Sequence, residues 1–339
     1  MQLKFYPYTL MLKQSFTIST YSRLTTPAVL VEIEHDGMIG YGEASLPPYL
    51  MENQSSVFNF LNRIDLFEFT DPLQINLILD YVDNIDRGNN AAKAAIDIAL
   101  HDLLGKLLNV PLYKYLNITK KDAIYSSYTL GISDLQSLKE KIAEASQFRF
   151  FKVKLGTKDD KKIIKTIRSL TEKSLYVDVN QGWADKNDAL DMISWLADQN
   201  VIFIEQPLPK ENIRDASWLT ERSPLPIIAD EAVQQLEDLD KIRDAYSGVN
   251  IKLMKAGGIR HAFQMINKAK ELNLKVMIGC MTETSCAITA ASHLSPLADW
   301  VDLDGAELIS NDLFSGTKII DGKIMIPDSP GLGVEKLTI

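Results

Sequence analysis

Cysteine, histidine and long apolar runs are all scarce in this chain. Its 339 residues include two cysteines, Cys280 and Cys286, and four histidines. Two closely spaced cysteines provide no disulfide framework for a protein of this size. No run of about 18 apolar residues is present, so we expect no segment that crosses a membrane. The first eight residues alternate like a strand and lack the apolar core of a signal peptide, and these features together predict a cytoplasmic protein.

Basic residues are outnumbered by acidic ones. With 45 Asp and Glu against 36 Lys and Arg, the formal net charge is −9. A surface of that sign repels nucleic acid and anionic membranes, so we expect neither as a partner. The chain is 46% hydrophobic and 24% charged, which is typical of a globular protein long enough for one large domain and a smaller one.

Residues 1–118 are predicted to form a small α+β unit. Polar and apolar residues alternate in Met1–Phe5 and Ala28–Glu34, as in antiparallel strands. The polar segment Ser19–Thr26 and the proline-containing segment Leu46–Tyr49 are predicted loops. Ala91–Leu108, rich in Ala and Leu with apolar positions three and four apart, is a predicted helix. Strands first and helices after indicate an α+β arrangement.

From about residue 119 onward, short β-rich runs alternate with stretches long enough for one helix. Eight consecutive β-α units predict a (β/α)₈ barrel of the TIM type over residues 119–314. The alternative, an open doubly wound sheet, usually carries a Gly-rich phosphate loop after its first strand, and none follows here. Residues 315–339 contain a predicted hairpin and are expected to return to the N-terminal unit. The eight runs are Ala123–Tyr128, Phe150–Lys154, Leu175–Asp178, Val201–Glu205, Pro226–Asp230, Val249–Leu253, Leu274–Gly279 and Trp300–Leu303.

Three successive predicted strands end in an acid: Asp178, Glu205 and Asp230. Chemistry on a barrel of this kind lies at the carboxyl ends of the strands, where these side chains converge. Converging carboxylates repel each other unless a cation lies between them. Oxygen ligands suit Mg²⁺ or Mn²⁺ better than Zn²⁺ or Cu²⁺. We therefore predict a divalent metal site, against the alternative that each acid only caps the next helix.

Lysines are predicted on both sides of these acids. Lys152 and Lys154 lie on the same side of one strand, where mutual repulsion is expected to lower the pKa of at least one; a solvated pair at a sheet edge is the alternative. Lys252 ends a strand on the opposite side of the ring. Lys154 and Lys252 would then flank the α-carbon of a metal-bound carboxylate, one removing a proton and the other returning it. Mg²⁺ and Lys152 would stabilise the resulting enediolate, which predicts racemisation or epimerisation.

Five motifs, taken in order, resemble the enolase superfamily in its muconate-lactonising subgroup. The resemblance covers nearly the whole chain and implies a capping domain completed by the C-terminal tail. It implies that Lys154 and Lys252 are the acid/base pair, that Lys152 contacts the substrate carboxylate, and that the three acids bind one Mg²⁺ per subunit, with Mn²⁺ as the alternative ion. Asn180 and Glu231 would support the ligands from behind. The motifs are Lys152-Val-Lys154, Asp178-Val-Asn180, Ile204-Glu-Gln-Pro207, Ala229-Asp-Glu231 and Asn250-Ile-Lys252.

The pair Asp302 and Asp304, at the end of the eighth strand, separates the activities of this subgroup. Two carboxylates there suit the α-ammonium of a dipeptide, and Asp-x-Asp at this place resembles the dipeptide epimerases, especially those of the L-Ala-D/L-Glu type. Thr129 resembles a substrate-contacting threonine of the same enzymes. N-acylamino-acid racemase, o-succinylbenzoate synthase and muconate cycloisomerase activities remain alternatives, as does a helix-capping role for the two aspartates. Barrels with capping domains often associate, so a homo-oligomer is also open.

One segment departs from the epimerases that act on Ala-Glu. Those enzymes carry an arginine in the loop corresponding to Ser19–Thr26, whereas Tyr21 aligns there in this chain and Arg23 follows two residues later. If Arg23 cannot point inward, no cation pairs with a glutamate side chain. On that condition we expect an Ala-Xaa dipeptide with an apolar or uncharged C-terminal residue, covered by Tyr49 in the Pro47–Met51 loop.

Overall fold

The computed structural model describes residues 1–17, 21–132 and 135–338, and its first element is a three-stranded antiparallel sheet. The strands are β1 (Gln2–Thr17), β2 (Ser22–His35) and β3 (Met38–Ser45). Asp36 and Gly37 connect β2 to β3 with positive φ angles of 51° and 77°. Two such residues in succession give a hairpin turn whose twist matches that of the strands.

The predicted loop over Ser19–Thr26 is wrong in its second half, while residues 18–20 lie outside the described residues. Ser22–Thr26 belong to β2, where Arg23 pairs with Phe16 of β1. The register between the two strands shifts between Met11 and Phe16, so a bulge lets the hairpin continue past the irregularity. Arg23 is therefore held on a paired strand rather than in a loop.

Four helices complete the N-terminal unit, and one of them packs directly on β3. The predicted helix Ala91–Leu108 is confirmed to within one residue at each end. Gly42 of β3 allows the close approach, because a Cβ atom there would lie 2.0 Å from the carbonyl oxygen of Ala95. The helices are α1 (Gln54–Leu61), α2 (Ile75–Ile85), α3 (Asn90–Leu107) and α4 (Leu112–Tyr115).

Eight parallel strands then alternate with helices, and each strand pairs with the next one along the chain. This confirms the predicted (β/α)₈ barrel with an N-terminal α+β capping domain. The elements are β4 (Ser127–Leu130), α5 (Leu135–Glu144), β5 (Phe150–Lys154), α6 (Asp160–Arg168), β6 (Ser174–Asp178), α7 (Lys186–Ala197), β7 (Val201–Glu205), α8 (Ile213–Arg222), β8 (Ile227–Ala229), α9 (Asp238–Ile242), β9 (Gly248–Ile251), α10 (Leu253–Ala256), α11 (Ile259–Glu271), β10 (Lys275–Gly279), α12 (Ser285–Ser292) and β11 (Trp300–Asp302).

The ring closes between its first and last strands, β4 and β11. One parallel bridge joins Ser126 to Val301, and the Leu303 amide donates to Ser126 Oγ at 2.8 Å. Stacked aromatic side chains fill the barrel interior, with ring centroids 4.4 Å apart for Tyr176 and Phe203. A filled interior leaves the carboxyl ends of the strands as the face available for a site.

The C-terminal residues form two small pairings, β12 with β15 and β13 with β14. The predicted hairpin around Asp321 and Gly322 is confirmed. Gly322 O accepts a hydrogen bond of 3.0 Å from the Ser126 amide, so the hairpin pairs with the residues that precede β4. This explains why the predicted first barrel strand, Ala123–Tyr128, is displaced towards Leu130. The strands are β12 (Phe314–Ser315), β13 (Lys318–Ile320), β14 (Lys323–Met325) and β15 (Glu335–Lys336).

The last residues contact the capping domain. Gly331 O accepts from the Leu112 amide at 2.8 Å, and the Leu332 amide donates to Asp102 Oδ1 of α3 at 2.9 Å. Division of the chain at residues 118 and 314 remains a prediction. Within the described ranges, no helix has both the length and the apolar character that a membrane crossing requires.

Candidate active site

Most of the predicted site residues line one cavity, which lies between the carboxyl ends of the barrel strands and the capping domain. Asp178 and Glu205 are fully buried at the ends of β6 and β7 and do not line it. The predicted residues that do line the cavity are Tyr21, Arg23, Tyr49, Thr129, Lys152, Lys154, Asn180, Asp230, Glu231, Lys252, Asp302 and Asp304.

The three predicted metal ligands converge as expected. Asp178, Glu205 and Asp230 each offer one carboxylate oxygen, and these oxygens lie within 4.8 Å of one another. All three residues are buried. Glu205 Oε2 lies 2.8 Å from Lys152 Nζ. Three buried, converging carboxylates fit a hard divalent cation, because such a cation is bound by oxygen atoms and neutralises their charge.

The pKa values reflect this crowding of charge. Burial and then the charge of Asp178 raise the pKa of Glu205 to about 8. Burial also favours the neutral form of Asp178, but Lys154 and Lys152 outweigh it and lower the pKa to about 2. Lys252 similarly overcomes burial at Asp230, whose pKa lies well below its usual value. Asp178 and Asp230 therefore stay ionised.

Lys154 and Lys252 bond to the two outer acids of the triad. Lys154 Nζ lies 2.6 Å from Asp178 Oδ2, and Lys252 Nζ lies 2.6 Å from Asp230 Oδ2. Lys154 ends β5, and Lys252 follows β9, four strands away in the ring of eight. The two amines therefore approach the acids from opposite sides of the barrel, in agreement with the predicted arrangement.

Lys152 occupies the middle of the cluster. Its Nζ lies 3.1 Å from Asp178 Oδ2, 2.8 Å from Glu205 Oε2 and 2.9 Å from Asp302 Oδ2. The lowered pKa predicted for at least one of Lys152 and Lys154 is not found at Lys152. Burial does favour the neutral amine, but the surrounding carboxylates outweigh it and raise the pKa well above the usual value. Sequence alternation predicted the neighbouring lysine but not the three acids around Lys152.

Two further residues hold the acids from behind: Lys255, which the sequence reasoning missed, and Asn250, which it named only as part of a motif. Lys255, on the single turn α10, donates to Asp230 Oδ1 and to the Asp230 carbonyl oxygen. Asn250 Nδ2 donates to Glu205 Oε1 at 2.8 Å. The spacing of Lys252 and Lys255, three residues apart across the start of a helix, is the only signal that could have indicated the second lysine. Both contacts fix the orientation of the acids, as hydrogen bonds behind metal ligands generally do.

Asn180 and Glu231 lie side by side at the cavity wall. Asn180 Nδ2 donates to Glu231 Oε1 at 3.2 Å. Burial, and then the charge of Asp230, raise the pKa of Glu231 to about 7. Asn180 Oδ1 and Glu231 Oε2 are buried without a hydrogen-bond partner among the described residues. Their predicted supporting role is compatible with this position but is not tested by it.

Asp302 and Asp304 face the cavity. Their side chains also accept hydrogen bonds at the seam of the barrel, where β4 meets β11. Ser127 Oγ donates to Asp302 Oδ1 at 2.6 Å, and the Thr129 amide donates to Asp304 Oδ2 at 2.6 Å. Burial, and then the charge of Asp302, raise the pKa of Asp304 to about 7. The two aspartates thus bond across to β4, and neither caps a helix through its side chain.

Arg23 points into the cavity, so the condition attached to the uncharged-substrate prediction is not met. Its Nη2 donates to Thr282 Oγ1 at 2.9 Å, across the gap between the capping domain and the barrel. Its Nε and Nη1 are buried and have no hydrogen-bond partner among the described residues. Burial lowers the pKa of the guanidinium, although an arginine remains charged at neutral pH. Arg23 points inward because it lies on a strand, whereas the sequence predicts a loop there.

Tyr49 lines the same cavity. Lys252 Nζ lies 5.8 Å from the centroid of the Tyr49 ring, and the Tyr49 hydroxyl contacts Met281 Sδ. The Tyr21 ring lies 5.9 Å from the Arg23 guanidinium carbon. Both tyrosines therefore contact a charged side chain of the site, at distances compatible with cation–π attraction.

Two family models match the chain. The one described as the N-terminal domain of mandelate racemase and muconate lactonizing enzyme matches residues 3–116, and the one described as enolase C-terminal domain-like matches residues 134–336. The L-Ala-D/L-Glu epimerase of Bacteroides thetaiotaomicron is 51% identical over 338 residues, which cover 99% of this chain and 88% of that protein. The L-Ala-D/L-amino acid epimerase of Pedosphaera parvula is 35% identical, with 97% of each chain covered.

Solved structures give the same picture. The substrate-liganded L-Ala-D/L-Glu epimerase of Bacillus subtilis superposes with a TM-score of 0.92 at 26% identity, covering 100% of this chain and 99% of that one. The dipeptide epimerase of Enterococcus faecalis V583, complexed with Mg and L-Leu-L-Tyr, gives a TM-score of 0.90 at 30% identity, with 98% of each chain covered.

Proposed function

Because the chain belongs to the mandelate racemase and muconate lactonizing enzyme group of the enolase superfamily, we propose that it is a dipeptide epimerase. It inverts the α-carbon of the C-terminal residue of its substrate by transferring a proton between two bases. The opposed positions of Lys154 and Lys252 carry this proposal, since each amine reaches the acid cluster from its own side of the ring. A planar enediolate held between them is accessible from both faces.

The acid cluster is the proposed metal site. Asp178, Glu205 and Asp230 would hold one Mg²⁺ per subunit, with Mn²⁺ as the alternative ion; the Enterococcus faecalis relative was solved with Mg. Such a cation supplies positive charge that stabilises the negative charge developing on the substrate carboxylate. Lys152 adds a further ammonium group and donates hydrogen bonds to the same carboxylate.

The two lysines divide the proton transfer. The lysine in its neutral form accepts the α-proton, and the other, as an ammonium, donates a proton to the opposite face of the same carbon. The carboxylates of Asp178 and Asp230 accept hydrogen bonds from the two amines and orient them. One proton leaves and one arrives in each turnover, so the reaction needs no redox partner and the roles reverse for the opposite isomer.

Asp302 and Asp304 favour a free dipeptide over an N-acylated amino acid. We propose that they accept hydrogen bonds from the α-ammonium of the N-terminal residue, while Thr129 contacts the backbone of the substrate. An N-acyl group offers no positive charge to pair with the carboxylates at this place. This separates the proposal from racemases of N-acylamino acids.

Arg23 supports an acidic C-terminal residue. Its Nε and Nη1 have no hydrogen-bond partner among the described residues. Both are donors only, and planar donors of positive charge suit a carboxylate. The relative with 51% identity is named for L-Ala-D/L-Glu. We therefore propose Ala-Glu as the preferred substrate, in place of the uncharged Ala-Xaa class expected from the sequence. We also propose that the enzyme works in the cytoplasm, without nucleic acid or membrane; homo-oligomer formation stays a prediction.

A dipeptide library in D₂O tests the proposal. We expect deuterium at the α-carbon of the C-terminal residue, together with loss of its configuration, and the fastest turnover with Ala-Glu. Turnover of N-acetylglutamate faster than of any dipeptide would overturn the assignment of substrate class. Turnover of Ala-Leu faster than of Ala-Glu would leave the epimerase but overturn the role of Arg23.

A further inference from the structure

Thr282 lies where the capping domain meets the cavity. It follows β10, is 3% exposed and lines the cavity. Its hydroxyl oxygen accepts the hydrogen bond from Arg23 Nη2, and its carbonyl oxygen accepts one of 2.6 Å from Ser45 Oγ of β3. The capping domain thus contacts Thr282 twice, once through the side chain and once through the backbone.

The bond to Thr282 is the one hydrogen bond that the Arg23 guanidinium makes within the described part of the chain. Its other contacts are with two rings, Phe16 at 5.5 Å and Tyr21 at 5.9 Å from the guanidinium carbon. Contacts with ring faces attract the cation but have little directional preference. The hydroxyl of Thr282 therefore decides which way the donor edges of the guanidinium point.

We propose that Thr282 is a specificity-determining positioning residue that holds Arg23 Nη2 so that a donor edge of the guanidinium faces the side-chain carboxylate of the substrate. This rests on the proposed function and deepens it. Nε and Nη1 lie on different edges of the guanidinium, and each is a buried donor without a partner among the described residues. Such a donor is unfavourable in the free protein, and an incoming carboxylate supplies a partner. An uncharged side chain offers no charge to pair with the guanidinium, so the orientation of the guanidinium is converted into preference for an acidic residue.

The test compares Thr282→Val with Thr282→Ser, using kcat/KM for Ala-Glu and for Ala-Gln. Valine has nearly the shape of threonine but no hydroxyl, whereas serine keeps the hydroxyl. We expect Thr282→Val to reduce the Ala-Glu to Ala-Gln ratio by on the order of 10-fold, as for loss of a hydrogen bond to a charged group. The loss should lie mainly in KM for Ala-Glu, with Ala-Gln little changed, and Thr282→Ser should keep the wild-type ratio.

Ser45→Ala is the matched control, because it removes the contact with the carbonyl oxygen of Thr282 and leaves the hydroxyl in place. Its ratio should remain that of the wild type even if both rates fall. Arg23→Met should lose the preference, and adding Thr282→Val to it should change the ratio no further. A wild-type ratio in Thr282→Val, alongside a lost preference in Arg23→Met, would overturn the role of Thr282 alone. A wild-type enzyme that epimerises no dipeptide would overturn the proposed function and, with it, this inference.

Discussion

Glu43 of the capping domain accepts hydrogen bonds from Thr284 of the barrel. Its two carboxylate oxygens lie 3.0 and 3.1 Å from the Thr284 amide nitrogen, and the Thr284 hydroxyl donates to Glu43 Oε2 as well. Thr284 in turn caps the start of α12. The contact is completely buried, so Glu43 sits in a low-dielectric site between the two domains. Burial, and then the charge of Glu283, raise the pKa of Glu43 to about 8.

The raised pKa predicts a specific dependence of stability on pH. Glu43 binds a proton in the folded protein up to about pH 8, whereas an unfolded glutamate releases it near pH 4.3. The folded state therefore binds more protons across this window, and the free energy of unfolding falls as the pH rises from about 5 to 8. Glu43→Gln keeps an acceptor for Thr284 but cannot ionise, so we expect a shallower decline.

Urea unfolding at pH 5.5 and pH 8.5 measures this effect. Each unit of pKa shift corresponds to about 1.4 kcal/mol. Between the two pH values, the free energy of unfolding should therefore fall by at least about 1 kcal/mol less in Glu43→Gln than in the wild type. Glu283, whose pKa is raised to about 7 by burial, keeps part of the slope in both proteins. An identical slope in wild type and variant would contradict the buried, proton-binding state of Glu43.

The opposed lysines predict stereospecific exchange in single variants. Lys154→Ala and Lys252→Ala should each reduce epimerisation by about 10²-fold or more, because a proton donor or acceptor is missing. Each variant should still exchange the α-proton of one isomer, the one whose proton faces the remaining lysine. Proton NMR of L-Ala-L-Glu and L-Ala-D-Glu in D₂O distinguishes the two. Undiminished exchange of both isomers by Lys252→Ala would rule out the two-base scheme. Lys161→Ala, which replaces an exposed lysine, serves as a control.

The acid cluster predicts tight dependence on a divalent cation. Chelator treatment should remove activity, and Mg²⁺ should restore it. Glu205→Gln keeps the volume of the side chain but removes one charge, so we expect the Kd for Mg²⁺ to rise by on the order of 100-fold. Titration calorimetry on chelator-treated protein measures the change. Glu283→Gln alters a buried carboxylate outside the cluster and should leave the Kd unchanged; an equal effect in both variants would count against this site.

Asp304 predicts discrimination at the N-terminal end of the substrate. In Asp304→Asn the amide oxygen can still accept from the Thr129 amide, so the barrel seam should persist. The variant lacks the charge that would pair with the α-ammonium, and we expect kcat/KM for Ala-Glu to fall by roughly 10-fold or more. The rate with N-acetylglutamate should not fall in parallel. A parallel fall would indicate damage to the proposed catalytic lysines or the proposed metal site instead.

Features set by residues close together in the sequence were predictable, whereas features set by residues far apart in the sequence were not. The acids Asp178, Glu205 and Asp230 were predictable because strand periodicity and barrel topology fix where a strand ends. Seven of the eight barrel strands agree with the predicted runs to within two residues at each end. The first strand is displaced because residues far along the chain, around Gly322, compete for its pairing. Local sequence carries no information about that competitor.

Contacts between the two domains were the least predictable. The polar neighbours of Arg23 predict a loop, yet pairing with Phe16 places it on a strand that faces the cavity. Its partner Thr282 is 259 residues away, and no periodicity connects the two. The raised pKa of Lys152 has the same kind of cause, since two of its three carboxylate neighbours, Glu205 and Asp302, lie on strands not adjacent to its own.

The seam between β4 and β11 constrains the residues proposed to contact the N-terminal end of the substrate more than those proposed to contact its C-terminal end. Asp302 and Asp304 bond to the opposite strand of a ring that has little backbone pairing at that point. If they bind the N-terminal group of the substrate as proposed, a lineage that replaced them to accept a different group would also loosen the closure of its barrel. Arg23 and Thr282 do not join the first and last strands of the ring, so their replacement would leave that closure in place. Descendants of this chain are therefore expected to diverge first in the C-terminal residue they accept.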